Sequence, residues 1–279
     1  MSRLSSDVIK KMLIVVKVGG SILKEVPPEI VSDIKNVLLG NQLVLVHGGG
    51  KGVTEIASKL GKEQQFVYSP TGFRSRYTDK ETMEIFTMVM AGKINKKLVS
   101  ALQKQEIPVV GLSGLDGYLL RAERKKRLIV VDERGRKRVI DGGYTGKVTQ
   151  VNASLLKLLL ENGYVPLVSP VAVSEEFEPL NVDADRTAAN IAGALKADKL
   201  VLLTDVEGLM LDGKLVSNMS ASDVEKKLKK IGGGMITKVY AAQEAIKSGV
   251  DEVIICSGVR KNPISSALKH ECGTVISSE

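Results

Sequence analysis

The sequence predicts an α/β fold: helices on both faces of a largely parallel sheet, broken by one basic β-hairpin excursion. Three observations predict it. Short β-branched runs alternate with longer stretches of helical periodicity, the pattern of strands joined by crossover helices. The longest such stretch carries apolar residues every three or four positions, as a helix burying one face must. One segment departs from the alternation, placing two short strands around a turn signal.

Strands are expected at residues 13–18, 43–46, 108–111, 166–168, 200–204 and 252–256. Met83, Phe86, Met90, Ile94, Leu98 and Leu102 mark one continuous amphipathic helix. Thr78-Asp79-Lys80-Glu81 starts it with a capping-box pattern, and Ser222 to Glu225 repeats that signal. Helices are also expected over 188–195 and 239–246. The strands 128–131 and 138–140 flank Asp132-Glu133-Arg134-Gly135 and read as a hairpin. No internal repeat or low-complexity tract is visible.

Length and composition bound what the chain can do. Its 279 residues suit one large domain or two lobes. With 43% hydrophobic and 26% charged residues, it is too apolar and too evenly charged for a disordered chain. No apolar run approaches the ~18 residues of a membrane span. The first 11 residues are polar and lack a secretory signal, so a cytoplasmic location is expected. Two cysteines and two histidines exclude a disulfide scaffold, a four-cysteine zinc site and a multi-histidine metal centre.

The formal net charge is +8. Between Arg121 and Lys147 stand ten Lys or Arg against four Asp or Glu, so most of the surplus sits in the hairpin excursion. Such charge could protect an edge strand from aggregation. It could equally meet an acidic partner, provided an active site lies nearby.

Three glycine clusters adjoin these elements: Gly19-Gly20 after the first strand, Gly48-Gly49-Gly50 after the second, and Gly232-Gly233-Gly234 before the helix at 239–246. Glycine lets backbone N–H groups approach an anion, and helix N-termini add partial positive charge. Tight strand-to-helix turns also need glycine, so one cluster alone says little. Lys17, Lys51 and Lys238 accompany the clusters, which favours phosphate handling. Familiar signatures are missing: no G-x-x-x-x-G-K-S/T occurs, Val53 spoils a G-x-G-x-x-G, and the protein kinase set is absent. Phosphoryl transfer chiefly needs anionic reactants held in line and neutralised. Lys17 and Lys238 suit that task as point charges. Asp185 could cap the helix that follows it, or hold the two lysines in position.

Eight ordered motifs then coincide with a known family. They are KVGGS (17–21), HGGGK (47–51), RYTD (76–79), AGKINK (91–96), GLSGLDG (111–117), LNVDAD (180–185), LTDVEG (203–208) and GGGMITKV (232–239). The whole chain resembles the amino acid kinase family and, within it, the acetylglutamate kinase-like branch. The resemblance implies a three-layer α/β/α sandwich. Residues 1–170 would form an N-terminal lobe for the carboxylate substrate, and 171–279 a C-terminal lobe for ATP. By motif match, Lys17 and Lys238 would stabilise the transferring phosphoryl group and Asp185 would orient them. Gly49, Gly50, Arg76 and Asn181 would contact substrate, with Arg74 competing for the role of Arg76. Gly20, Ser21, Thr204, Asp205 and Gly208 would lie along the nucleotide. ATP with Mg²⁺ is the implied cofactor pair, the ion held largely by phosphate oxygens rather than by protein ligands. A homodimer through the N-terminal lobe is also implied.

Two departures from that branch bear on the substrate. Ser75-Arg76-Tyr77-Thr78-Asp79 stands where acetylglutamate kinases usually read R-V-T-D, and Gly142-Gly143-Tyr144-Thr145-Gly146-Lys147 follows the hairpin. Both look like the kinases of carrier-protein lysine and arginine biosynthesis. Those phosphorylate aminoadipate or glutamate mounted on a small acidic amino-group carrier protein of the LysW type. Under that resemblance Arg124, Lys125, Lys126, Arg127 and Lys147 would bind the carrier, and the basic hairpin would steer it. Free acetylglutamate, in ordinary arginine biosynthesis, is the alternative substrate. A nucleic-acid binder or an amino-acid sensor is the non-enzyme alternative, against which stand only ten aromatic residues and no nucleic-acid motif.

Overall fold

The structure, a computed structural model, describes residues 11–22, 27–227 and 231–278. The polar N-terminal residues 1–10 therefore lie outside it. The chain begins with β1 (Met12–Val18), α1 (Pro28–Leu38), β2 (Asn41–His47), α2 (Gly50–Lys59), β3 (Phe66–Tyr68) and β4 (Arg74–Arg76). Then α3 (Lys80–Thr87) and α4 (Asn95–Gln103) are joined by a π-helical turn at Met88–Ile94. β5 (Val109–Ser113) leads to β6 (Leu120–Arg124), the hairpin β7 (Arg127–Val131) and β8 (Lys137–Asp141), and β9 (Gly146–Val151). α5 (Ala153–Glu161), β10 (Val165–Ser169), β11 (Val171–Val173), β12 (Pro179–Asn181) and α6 (Ala184–Leu195) follow. The remainder is β13 (Lys199–Thr204), β14 (Met210–Leu211), β15 (Lys214–Leu215), β16 (Asn218–Ser220), α7 (Ala221–Lys227), α8 (Met235–Lys247), β17 (Glu252–Ser257), α9 (Pro263–Leu268) and β18 (Thr274–Ser277).

Eight strands make the main sheet, in the order β16-β18-β17-β13-β1-β2-β10-β5. All pairings are parallel except β17 with β18. Strands from before residue 170 form one half of this sheet and those from after 198 the other. The halves join where β1 pairs with β13.

Side chains alternate across a strand, so each face collects every second residue. Val15, Val44, Val46, Leu200, Leu202, Val253 and Ile255 pack on one face with α5, α6 and α8. Ile14, Val16, Leu43, Leu45, Val201, Leu203 and Ile254 pack on the other with α1, α4 and α9. The expected three-layer sandwich is present, and both sheet faces are dry, as near-continuous apolar strands require.

Four features differ from the sequence reading or add to it. The expected continuous helix over 83–102 is interrupted by the π-helical turn. From Phe86 onward the apolar spacing is four residues at each step, which drifts about 40° per step around a helix with 100° per residue. A wider turn absorbs the drift and returns Leu98 and Leu102 to the core, both buried. The cap of α3 is Asp79, whose carboxylate accepts from Thr82 N–H at 2.8 Å, while Thr78 is buried and donates to Arg76 O. The second cap is also displaced: α7 begins at Ala221, and Ser220 Oγ accepts from Asp223 N–H at 3.1 Å. Finally, a second sheet of order β12-β11-β6-β9, unread in the sequence, carries the hairpin outward. The hairpin itself forms as expected, in register from Arg127↔Asp141 to Val131↔Lys137.

Candidate active site

The first two glycine clusters extend the adjacent parallel strands β1 and β2, which pair through Val18↔His47. Gly19 N–H donates to Leu203 O at 3.1 Å and Gly48 N–H to Val18 O at 2.9 Å, so the two turns are fixed to the sheet. They touch backbone to backbone. A Cβ on Gly20 would stand 2.5 Å from Gly49 N, closer than any side chain tolerates. This contact explains why both turns are glycine: it brings two peptide backbones to the same point beyond the carboxyl ends of the strands, where open α/β sheets bind ligands. The third cluster does not share this role. Among the described residues a Cβ on Gly232, Gly233 or Gly234 would meet nothing within 4 Å, and only Gly233, at φ +60°, needs glycine for its backbone.

Lys17 lies on β1 on the same face as Val15, under α6 and α8. Lys238 lies in the first turns of α8, and Asp185 in the first turn of α6. Small residues at the contact between these helices, including Ala188, Ala192, Ala241 and Ala245, let their N-terminal ends approach. Arg186 adds a forked ion pair from α6 to Glu244 on α8, with Nε 2.9 Å from Oε2. The result is one buried carboxylate between two amines, Lys17 buried and Lys238 half-buried. Lys17 Nζ lies 2.6 Å from Asp185 Oδ1 and Lys238 Nζ 2.8 Å from Oδ2.

Burial and charge set the protonation of the three. Burial lowers the Lys17 pKa, and the Lys238 charge adds to that against the pull of Asp185. Burial works against Lys238 too, but attraction and hydrogen bonding to Asp185 prevail and raise it. Asp185 is held below the usual carboxylate range, because its two lysines outweigh its burial. The carboxylate does not cap α6, one of the two roles open from sequence. Asp183 does so, accepting from Arg186 N–H at 2.9 Å, and Asp185 is left to hold the lysines.

A cavity of about 610 Å³ opens beside this group. Lys17, Gly20 and Gly48 to Gly50 form one wall, and Asn181 and Asp183 another. Arg76 is buried and donates to Gly50 O at 2.8 Å, to Thr54 Oγ1 at 2.9 Å and to Gln64 Oε1. Burial, with the Arg74 charge second, lowers its pKa to about 10. Arg74 also reaches the cavity but is exposed, its guanidinium 3.5 Å from the Phe66 ring centre. Asn181 N–H donates to Tyr144 O at 2.8 Å and its side chain to Thr78 Oγ1 at 3.0 Å.

Of the residues expected along a nucleotide, Gly20 faces this cavity, while Ser21, Thr204 and Asp205 cluster outside its lining. Asp205 is exposed; slight desolvation would raise its pKa, but hydrogen bonds from its own backbone and from the Ser21 and Thr204 hydroxyls outweigh it and keep the pKa low. Gly208 stands apart from that cluster: it is buried against Thr274 and Gly273, where a Cβ would come within 2.8 Å of Thr274 Oγ1. Packing alone accounts for its identity.

The five residues expected to bind a carrier divide into three groups. Arg124 is engaged internally, donating to Gly143 O at 2.7 Å and to Glu178 at 3.0 Å, with its guanidinium 4.3 Å from the Tyr144 ring centre. Lys125 and Lys147 line the cavity, and burial together with the Arg186 charge lowers the Lys125 pKa. Lys126 and Arg127 are exposed on the hairpin. Leu128, Ile129 and Val130 roof the cavity, so the basic excursion is continuous with it. The Gly142-Gly143-Tyr144 motif ties this roof down: a Cβ on Gly143 would stand 2.3 Å from Thr78 O, and Tyr144 N–H donates to that oxygen at 2.7 Å.

Sequence reasoning did not select Asp183, Thr78, Gln64 or Thr54 as parts of the site. Thr78 and Asp183 carried a signal, since each stands within a motif named above. Gln64 and Thr54 carried none, because only the fold brings them under Arg76.

A family model described as "Amino acid kinase family" matches residues 12–257. A Saccharolobus solfataricus protein named LysW-aminoadipate/LysW-glutamate kinase is 46% identical over 267 residues, covering 95% of this chain and 100% of that one. A Cenarchaeum symbiosum protein, provisionally given the same name, is 57% identical over 264 residues, covering 95% and 99%. Among solved structures, a Streptococcus mutans protein superposes with a TM-score of 0.78 at 27% identity, covering 96% of this chain and 99% of that one. The N-acetylglutamate synthase of Neisseria gonorrhoeae gives a TM-score of 0.80 at 24% identity, covering 97% of this chain and 60% of that one. That likeness is one of fold.

Proposed function

The chain belongs to the amino acid kinase family and is a kinase, and from that premise we propose the reaction it performs. It transfers the γ-phosphoryl group of ATP to the side-chain carboxylate of L-2-aminoadipate, and of glutamate, while the amino group of either is mounted on a small acidic carrier protein. The relatives' names support the substrate. The observation that carries the reading is Lys17 and Lys238 gripping one carboxylate where two glycine turns meet, beside a cavity roofed by a basic hairpin.

In this reaction a carboxylate oxygen forms the new P–O bond, the bridging P–O bond to ADP breaks, and an acyl phosphate leaves. The attacking group is already an anion, so no general base is required; the barrier is charge repulsion and alignment. Lys17 and Lys238 supply the neutralising charge, and Asp185 fixes their separation. The backbone of Gly20 and Gly49 faces the same point. Arg76, held by Gln64, Thr54 and Gly50, takes the α-carboxylate, with Arg74 outside it and Asn181 across the cavity. Ser21, Thr204 and Asp205 lie towards the nucleotide.

Magnesium, bound with ATP, would offset phosphate charge. Both Asp185 oxygens are taken by lysines, and among the described residues no group of three or more His, Cys, Asp or Glu could hold a metal. The donor set thus fits an ion carried by phosphate oxygens. The two halves of the sheet support reading residues 1–170 as the acceptor lobe and 171–279 as the nucleotide lobe. Met88, apolar and 58% exposed on the π-helical turn, offers a contact for the homodimer.

The test is a steady-state comparison, trapping the acyl phosphate with hydroxylamine. Carrier-linked aminoadipate and carrier-linked glutamate should both be phosphorylated in preference to acetylglutamate. Equal or better turnover of free acetylglutamate would remove the carrier from the account.

A further inference from the structure

We infer that His47 is a positioning residue. Braced by Asn95, it holds the Gly48–Gly49 peptide so that the Gly49 N–H faces the point where the phosphoryl group transfers. The inference rests on the acyl-kinase reading above, and its test separates the two.

The His47 ring is fully buried at the carboxyl end of β2. Its Nδ1 lies 2.9 Å from Gly48 O and its Nε2 lies 3.2 Å from Asn95 Nδ2. A carbonyl can only accept, so Nδ1 carries the proton and donates to Gly48 O. Asn95 is oriented by its other neighbours. Its Nδ2 also faces Leu112 O at 3.3 Å and Leu167 O at 3.1 Å, both acceptors, while Lys96 Nζ donates to its Oδ1 at 3.2 Å. Nδ2 is therefore the amide nitrogen presented to the ring, and Nε2 accepts from it. Burial keeps the ring neutral as well, lowering its pKa to about 4.

Consequences follow from the peptide plane. In a trans peptide the C=O and the following N–H point in opposite directions. With Gly48 O turned to the His47 ring, Gly49 N–H is turned away from it, towards Gly20 and the cavity. Among the described residues no protein group accepts from that N–H. A run of three glycines has little intrinsic resistance to a peptide flip. A flip would aim the carbonyl oxygen, rather than the N–H, at developing negative charge. Met90 and Ile94 close the other side, where a Cβ on Gly49 would come within 2.8 Å of Met90 Sδ. The π-helical turn brings the same segment into position and hands over directly to Asn95, which is wholly buried. Extra helical turns of this kind recur at functional sites. The fold thus spends a helix irregularity and two buried polar side chains on one peptide orientation.

The experiment compares His47→Leu, His47→Asn and His47→Gln with wild type, using carrier-linked aminoadipate and ATP. An asparagine amide can stand in for Nδ1, whereas a glutamine amide reaches only the place of Nε2. Removing one preorganised donor from a charge-stabilising site costs about 10²–10³ in kcat. Here the donor is misdirected rather than removed, so a loss of roughly tenfold or more in kcat is expected for His47→Leu, with both KM values within about threefold. His47→Asn should recover most of the loss and His47→Gln should not. Equal kcat in Asn and Gln, or a His47→Leu effect confined to KM, would overturn the inference. If His47→Leu does not fold, the Asn–Gln contrast decides alone. A wild type with no activity on the carrier-linked acid would instead sink the functional reading.

Discussion

Lys17 and Lys238 share one carboxylate yet hold their protons with different strength, Lys17 less firmly and Lys238 more firmly than a free lysine. The proposed mechanism needs both charged. In the free enzyme, kcat/KM should therefore fall at alkaline pH with an apparent pKa below 10.5. Lys17→Arg should move that limb upward. The stability sign is opposite for Lys17. Between its folded pKa and 10.5 the unfolded chain binds more protons, so folding gains from Lys17 as pH rises while activity is lost. Denaturant midpoints and pH–rate profiles should therefore part company in that window. Lys17→Met or Lys238→Met should each lower kcat by ~10²-fold or more, the scale of losing one electrostatic stabiliser. Near-normal kcat in both would mean that the roles are assigned wrongly. The sequence named all three residues of this group, because each sits in a motif. It left the role of Asp185 open, since capping and lysine-holding place a carboxylate at the same helix start two residues apart.

At the level of elements, the proposal gives the hairpin two jobs that respond differently to salt. Lys126→Gln with Arg127→Gln and Lys147→Gln should weaken use of the carrier-linked acid by ~10-fold at low ionic strength, and by less as salt rises. The KM for ATP should stay the same. A loss that ignores salt would contradict steering. Arg124→Gln should behave otherwise, because its partners are Gly143, Glu178 and Tyr144 within the protein, and its effect should not vary with salt. Part of the formal surplus is also internal: Asp132 accepts from Arg136 and Arg138, so the hairpin presents less net charge than its composition implies. The helix caps give a structural check. Asp79→Ala should cost about 1 kcal/mol in chemical denaturation, whereas Ser222→Ala should change little, since Ser220 fills that place. The strands and hairpin were legible from local chemistry. The exact cap residues, the π-helical turn and the second sheet were not, because pairing across the fold decides them; the only local trace was the unbroken four-residue spacing from Phe86 to Leu102.

On the scale of the whole molecule, two largely parallel half-sheets meet at β1 and β13, and the Lys17–Asp185–Lys238 group gathers at that seam. Lys17 comes from β1, Asp185 and Lys238 from helices lying over the same face, and the cavity opens where both glycine turns end. The motifs placed these parts along the chain, but only the crossover topology shows why residues 168 positions apart or more can share one centre. The most direct measurement is a crystal structure with ADP, aluminium fluoride and the carrier-linked acid bound. The account predicts the fluoroaluminate within about 2.7–3.1 Å of both lysine nitrogens, bridging nucleotide and acceptor carboxylate. A mimic seated away from either nitrogen would contradict it.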